Sequence, residues 1–260
     1  MTIRALFLSF SLMIIGSSFA QENHSSFKPG EWFRFRIHYG VFTASYATLE
    51  VKEEKLNNTP VYHIIGEGKS SGLLSLFFKV EDNYETYIDK KEVRPYRFVR
   101  KINEGGHTKD IEINFDHQKN EALVFNKKYN TKKTFTIKEN VQDMMSSFYF
   151  LRNEIDTSNL KKGDEFFVNM FFDSENYKFK LKFLGREVLK TKIGKMNTLK
   201  FRPYVQADRI FKEEESMTVW VSDDDNRMPL KIKADIVVGS IQADLIAFKG
   251  LKHPFKIIVD

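Results

Sequence analysis

The sequence predicts a mainly β protein of antiparallel curved sheets or half-barrels, with two similar β units in tandem joined by a short helix. Three observations carry that expectation. Most of the chain alternates apolar and polar residues at a period of two, the pattern of strands with one buried face. Glycine, proline and asparagine turn signals separate these stretches. The same punctuation also recurs at an offset of 133 positions (163 − 30), with Gly30-Glu31 opening one run and Gly163-Asp164 the next.

Before the first run, residues 1–20 have the parts of a secretory signal. Arg4 supplies positive charge, Ala5 to Ile15 form an apolar run, and Ser18-Phe19-Ala20 offers small residues for cleavage before Gln21. The apolar run is shorter than the roughly 20 residues a membrane helix needs, and no second run follows, so no transmembrane segment is expected after cleavage. Residues 21–29 read as a polar, disordered lead-in. The first β unit is placed at 30–139, a linking helix at 140–155 and the second β unit at 156–260.

In the first unit, Trp32 to Tyr39 alternates Phe33, Phe35, Ile37 and Tyr39 with Arg34, Arg36 and His38. Ala47, Leu49 and Val51 repeat the pattern, and Asn57-Asn58-Thr59-Pro60 turns the chain into Val61–Ile65. Further strands are expected at 84–89, 97–102, 109–115 and 122–125, with Glu104-Gly105-Gly106 as a tight hairpin because glycine tolerates positive φ. In the second unit, Phe166–Phe172 and Tyr177–Leu184 form a hairpin around Asp173-Ser174-Glu175-Asn176. There Lys178, Lys180 and Lys182 face one way and Phe179, Leu181 and Phe183 the other. Thr218–Ser222 repeats Glu85–Asp89, Met228-Pro229 repeats Arg94-Pro95 one position later, and Gly239 repeats Gly106. Between the units, Asn140 is the expected helix cap, with Asp143 reaching back. Val141, Met144, Met145, Phe148 and Leu151 then make an apolar face. Leu73–Phe78 is a second, short helix candidate.

The segments Phe27–Glu31, Val80–Thr86, Asp143–Arg152, Val219–Asp224 and Met228–Leu230, taken in order, resemble an exported bacterial family designated domain of unknown function 3108. The resemblance spans nearly the whole chain after the signal. It implies a Gram-negative envelope protein of antiparallel β architecture, and it implies no catalytic residues.

Composition narrows the function classes. There is no cysteine, which removes disulfides and thiolate metal sites. Net charge is +6, or +5 once Arg4 leaves with the signal (6 − 1), with 41 basic against 35 acidic residues. That mixture suits anionic envelope partners better than nucleic acid, which calls for a denser basic stripe. Lys127, Lys128, Lys132, Lys133, Lys161 and Lys162 join the Lys178–Lys182 face as anion contacts or, more simply, as a solubilising surface. Gly68-Lys69-Ser70-Ser71-Gly72 matches a hydrolase nucleophile pattern but lacks the α/β setting that chemistry needs. His24, His38, His63, His107, His117 and His253 show no metal-ligand spacing, and Asp116-His117 and His107–Asp110 are the carboxylate neighbours to check. Ser222-Asp223-Asp224-Asp225-Asn226 fits a turn better than a calcium loop. The 25 Phe, 10 Tyr and 2 Trp fill a core or line a concave ligand face.

The expectation is therefore an exported, non-enzymatic binding or carrier protein of the bacterial envelope. It would reside in the periplasm or on the inner side of the outer membrane, with a lipid, lipoprotein or glycan as ligand. The alternatives are an assembly factor that binds envelope proteins, or a hydrolase whose site is assembled from carboxylates and histidine. No catalytic, cofactor-binding or metal residue is assigned, no cofactor is implied, and ligand-binding residues and oligomeric state stay open.

Overall fold

The computed structural model describes residues 25–71, 79–204 and 216–259. Residues 1–20, expected to be a signal, together with His24, Gly72 and the short helix candidate Leu73–Phe78, lie outside them.

Fourteen antiparallel strands form one sheet that is not closed, in the order β8-β7-β6-β5-β4-β3-β2-β1-β14-β13-β12-β11-β10-β9. The first eight are β1 (Trp32–Tyr39), β2 (Phe42–Leu56), β3 (Thr59–Ser70), β4 (Val80–Ile88), β5 (Pro95–Glu104), β6 (His107–Asp116), β7 (Glu121–Asn126) and β8 (Thr131–Thr136). After helix α1 (Met144–Glu154) come β9 (Glu165–Phe172), β10 (Glu175–Thr191), β11 (Gly194–Tyr204), β12 (Met217–Ser222), β13 (Pro229–Asp235) and β14 (Ser240–Lys249). Sequence neighbours pair as hairpins, and β1 pairs with β14, with Tyr39 opposite Ile241, so both halves join one surface.

Turn chemistry explains the hairpins. Asn57-Asn58 and Asp173-Ser174 hold positive φ at both central positions (49° and 68°; 46° and 68°), the twist that two-residue hairpins need. Strand alternation then sends Phe98, Ile113, Phe115, Ala122 and Val124 inward, where they pack with Val51, Ile64 and Ile88. In the second half, Val168, Met170, Phe183, Leu199 and Phe201 do the same.

The punctuation noted in the sequence falls at matching structural points. β1 and β9 start 133 positions apart, as do β6 and β14. Glu31 N donates to Lys28 O (3.2 Å), and Asp164 N donates to Lys161 O (3.0 Å). The β4–β5 register shifts between Tyr87 and Ile88, and the β12–β13 register between Trp220 and Val221, with Pro95 and Pro229 opposite the second residue of each.

Because consecutive strands reverse direction, the described connections fall at two ends. The first carries the turns around Gly40, Gly105, Lys128, Asp173 and Gly239. The second carries the turns at Asn57-Asn58 and Asp223–Arg227, together with α1. Beyond β8 the chain crosses to the β9 edge: Gln142 N donates to Asn169 O (2.8 Å) and Phe171 N to Gln142 O (2.9 Å). The Asn176 amide links back to Thr136 O (2.8 Å). Phe171 on β9 packs against Phe135 on β8, ring centroids 5.8 Å apart. The curl thus brings the two edge strands face to face without a shared ladder.

Three expectations are corrected. Asp143, not Asn140, caps the helix: its carboxylate accepts from Met145 N and Ser146 N, while the Ser146 hydroxyl closes the box on Asp143 N. Asn140 has φ 52° and lies in the turn before. Of the expected apolar face Val141, Met145 and Leu151 are buried and Met144 is exposed, and the buried helix residues also include Ser146, Ser147, Tyr149 and Arg152, so the face is not an all-apolar stripe. The lead-in is ordered from Ser25: Ser26 and Phe27 are buried because Ser26 bonds α1 and Phe27 packs edge-on against Tyr149 (4.7 Å).

Candidate functional site

Two constellations stand out, one at each end. At the helix end Arg152 is buried, and its guanidinium is fully engaged. Nη1 and Nη2 donate to the two Glu31 carboxylate oxygens at 2.7 and 2.8 Å. Nη2 also reaches Ser26 O (3.2 Å) and Asn226 O (2.8 Å), and Nε reaches Asn226 O (3.2 Å). The rings of Tyr149, Phe148, Phe27 and Phe33 stand 5.2–5.7 Å from its Cζ. Burial lowers the Arg152 pKa, but Glu31 outweighs it and the net direction is upward. The Ser26 hydroxyl donates to Arg152 O (2.7 Å), and Arg227 donates to the Ser26 hydroxyl (2.7 Å). Asn226 holds His253 N (2.9 Å), and the His253 ring contacts Ser25 O (2.9 Å). With each nitrogen of the Arg152 guanidinium hydrogen-bonded, this cluster is a keystone. It ties the lead-in, α1, the β12–β13 turn and the C-terminal segment together.

At the opposite end lies a cavity of about 540 Å³ between β5–β8 and the β9–β10 turn. Its chemistry is layered by strand alternation. On each strand the deeper inward residue is apolar, and the next inward residue toward the turns is polar or cationic. Phe98 gives way to Arg100, Ile111 to Lys109, Val124 to Asn126 and Phe135 to Lys133. Lys128 completes the basic rim, and Phe172, Asp173 and Ser174 cover one side.

The rim has four cationic side chains and one carboxylate, Asp173. Arg100 Nη1 bonds Asp173 Oδ1 at 2.6 Å, and Lys109 Nζ lies 3.5 Å from the same atom. Arg100 also stacks over Phe172 (4.8 Å), while its Nε is buried without a hydrogen-bond partner. Lys133 lies over Phe135 (4.8 Å), and Lys128 donates to Thr108 O (3.2 Å). Beside this cavity Asp82 is raised to about 6 by burial first and then by Glu104.

A family model described as "Protein of unknown function (DUF3108)" matches residues 34–246. The chain belongs to the DUF3108 family. No curated protein matches it. The DUF3108 chain resembles the crystal structure of a β-barrel-like protein of domain of unknown function DUF1849 from Brucella abortus. Identity is 8%, the TM-score is 0.56, and the match covers 85% of this chain and 98% of that one. It also matches a DUF1089 family protein from Pseudomonas aeruginosa at 8% identity and TM-score 0.39, covering 75% of this chain and 90% of that one. The first likeness supports a β-barrel-like fold and carries nothing on activity.

The residues singled out in the DUF3108 sequence divide between these ends and the outer face. Lys128, Lys133, His107 and Lys109 line the cavity, whereas Lys180 and Lys182 face outward, 3.5 and 3.7 Å from Glu165. Ser70 ends β3, and its hydroxyl accepts from Val80 N (2.9 Å), so Gly68, Lys69 and Ser70 of the nucleophile pattern lie on a strand, while Gly72 lies outside the described residues. His63 is wedged between Glu85 (2.9 Å) and Glu54 (2.9 Å) and stacks on Tyr87 (4.0 Å). His38 bridges Asp244 (2.8 Å) and Gly40 O (2.7 Å). His117 bonds Pro95 O (2.7 Å), and burial lowers its pKa. Asp116 holds the Gln118 and Lys119 amides. The Ser222–Asn226 run is a turn: Asp224 accepts from the Ser222 hydroxyl (2.7 Å) and from Asn226 N (3.0 Å). Among the described residues, no group of three or more His, Asp or Glu could hold a metal ion. Arg100 and Phe135 were not singled out in the sequence. Their signal is present in the alternations 98/100 and 133/135, but only the direction of the curl shows that these faces point inward.

Proposed function

We propose that this chain is an exported, non-enzymatic binding or carrier protein of the bacterial envelope, and that its cavity holds an amphiphile with an apolar tail and an anionic head. One observation carries the reading: the inward faces of β5, β6, β7 and β8 pass from apolar to basic or polar within one alternation, around a volume in the range of small-molecule sites. The tail would lie on Phe98, Ile111, Ile113, Val124 and Phe135, and the head would meet Lys109, Lys128 and Lys133. Asp173 is held by Arg100 and Lys109, an arrangement suited to fixing charge rather than moving a proton. Export rests on residues 1–20, and the placement in the periplasm or on the inner side of the outer membrane rests on the same segment.

The matching strand starts and register shifts 133 positions apart support a doubled unit, β1–β6 and β9–β14. A crystal structure in which these two runs fail to superimpose would overturn the doubling.

The test of function is native mass spectrometry of the chain purified from its source membrane fraction. The reading expects an adduct that extracts into organic solvent, carries negative charge, and is reduced in Lys133→Glu. A bare mass from every preparation would overturn the carrier reading, and turnover of an ester substrate abolished by Asp173→Asn would overturn the non-enzymatic part. An assembly factor is the second reading, favoured by the exposed edge strand β8; in-cell crosslinking from β8 that recovers no protein would dispose of it.

A further inference from the structure

The turn that joins β1 to β2 and the turn that joins β13 to β14 stand side by side, because β1 pairs with β14. Both are apolar and uncharged: Tyr39–Ser45 and Ile236–Ala243 contain no Asp, Glu, Lys or Arg. Val41 is 83% exposed, Phe42 71%, Val237 81% and Val238 71%. An isolated exposed apolar residue needs no explanation, but four projecting from two adjacent turns form a patch that does. The two turns are also tied to each other. The Tyr39 hydroxyl donates to Val238 O (3.0 Å), and Phe42, Tyr39 and Ile241 lie in one row across three strands.

These tips sit at the end where the cavity lies, away from α1. The β7–β8 turn shares that end, and from Lys127 to Lys133 it holds four lysines and no acid. Among the described ion pairs Lys127 has Glu112 (2.8 Å), whereas Lys128, Lys132 and Lys133 have no carboxylate. Tyr129 on this turn is two-thirds exposed. Apolar side chains on projecting turns, with an aromatic ring and lysines that have no carboxylate partner at the same end of the sheet, are what a lipid interface accommodates.

We propose that this end of the sheet docks on an anionic lipid surface, with Val41, Phe42, Val237 and Val238 entering the acyl boundary and the β7–β8 lysines meeting the headgroups. The proposal goes beyond the cavity reading, since the tips would dock whether or not the cavity is filled, and cavity occupancy is measured separately by native mass spectrometry.

The test is flotation of the chain from Gln21 with phosphatidylethanolamine vesicles, with and without phosphatidylglycerol. The wild type is expected to float with the phosphatidylglycerol vesicles and much less with the others. Phe42→Ser combined with Val238→Ser should lower the bound fraction about tenfold or more. Lys132→Glu, on the same turn but outside the cavity lining, should weaken the preference for phosphatidylglycerol. Val188→Ser, an exposed apolar position on β10 toward the opposite end, should change nothing. Phe42→Trp should show a blue-shifted emission on adding vesicles. The proposal is overturned if the wild type does not float, or if the tip variants float as well as the wild type with an unchanged circular dichroism spectrum. It is equally overturned if sedimentation shows a dimer that Phe42→Ser dissolves while no vesicle binding occurs, which would give the surface to a second copy.

Discussion

Arg152→Met isolates the keystone at the helix end. The substitution keeps most of the side-chain volume among Phe27, Phe33, Phe148 and Tyr149 but removes five hydrogen bonds and the positive charge. Glu31, fully buried, is then left without its partner. Stranding one member of a buried pair costs about 3–5 kcal/mol, well above the value of the pair itself, because the desolvation cost of the remaining charge is no longer offset. For a chain of this size that corresponds to a fall in Tm of about 6–20 °C. Urea unfolding followed by circular dichroism measures it as a lower midpoint at unchanged slope. Glu31→Leu with Arg152→Met should recover much of the loss, since an apolar pair of similar volume leaves no stranded charge. An Arg152→Met variant within about 1 kcal/mol of the wild type would refute the reasoning. So would a double variant whose cost equals the sum of the single costs.

Other perturbations test separate parts of the fold. Burial raises the Asp143 carboxyl from 3.8 to about 6, so the folded state holds that proton more tightly than the unfolded chain. Its contribution is therefore greatest below about pH 4 and is lost as the pH rises through about 6. Asn caps helices as well as Asp, so Asp143→Asn should gain about 2 kcal/mol relative to the wild type between pH 4 and pH 7, read from urea midpoints at both; an equal difference at the two pH values would contradict this. A Cβ on Gly250 would fall onto the Gly30 carbonyl at φ +69°, whereas one on Gly40, at φ +54°, would meet open space. Gly250→Ala should cost at least about 3 kcal/mol and Gly40→Ala only about 1–2, by the same unfolding assay; equal costs would refute the close approach. Phe171→Ala, which removes the ring between Phe115 and Phe135, should cost about 3–5 kcal/mol and speed hydrogen exchange in the 137–142 crossing.

Local rules made much of the fold legible. The alternation at Phe33–Phe35 and Tyr177–Leu184 gave strands with the faces that the structure shows, whereas past the register shift between Ile37 and His38 the expected faces exchange, His38 being buried and Tyr39 exposed; Gly105-Gly106 and Asp173-Ser174 turned where their residue types turn. What stayed hidden depends on contacts distant in sequence. Arg152 looks like an ordinary basic residue in the last turn of a helix until Glu31, 121 positions earlier, is brought against it. Asn140 and Asp143 are both good caps, and the Gln142 bridge to β9 decides between them by holding the chain extended up to Asp143. The cavity was half legible. Lys128 and Lys133 stood out as anion contacts beside Lys178, Lys180 and Lys182, yet alternation alone cannot say which lysine face curls inward. The packing of Phe179, Leu181 and Phe183 on the second core turns the β10 lysines out, and the curl of β5–β8 turns Lys109 and Lys133 in.

The layered cavity is the claim on which the functional account stands, and a matched pair of ligands tests it most directly. Titration calorimetry with an alkyl sulfate and with the neutral alcohol of equal chain length separates tail from head. The account predicts one site per chain for the sulfate, at least about tenfold weaker binding of the alcohol, and loss of that difference in Lys109→Gln with Lys133→Gln. Equal affinity for the two ligands, or heat from neither below the micelle concentration, would contradict it.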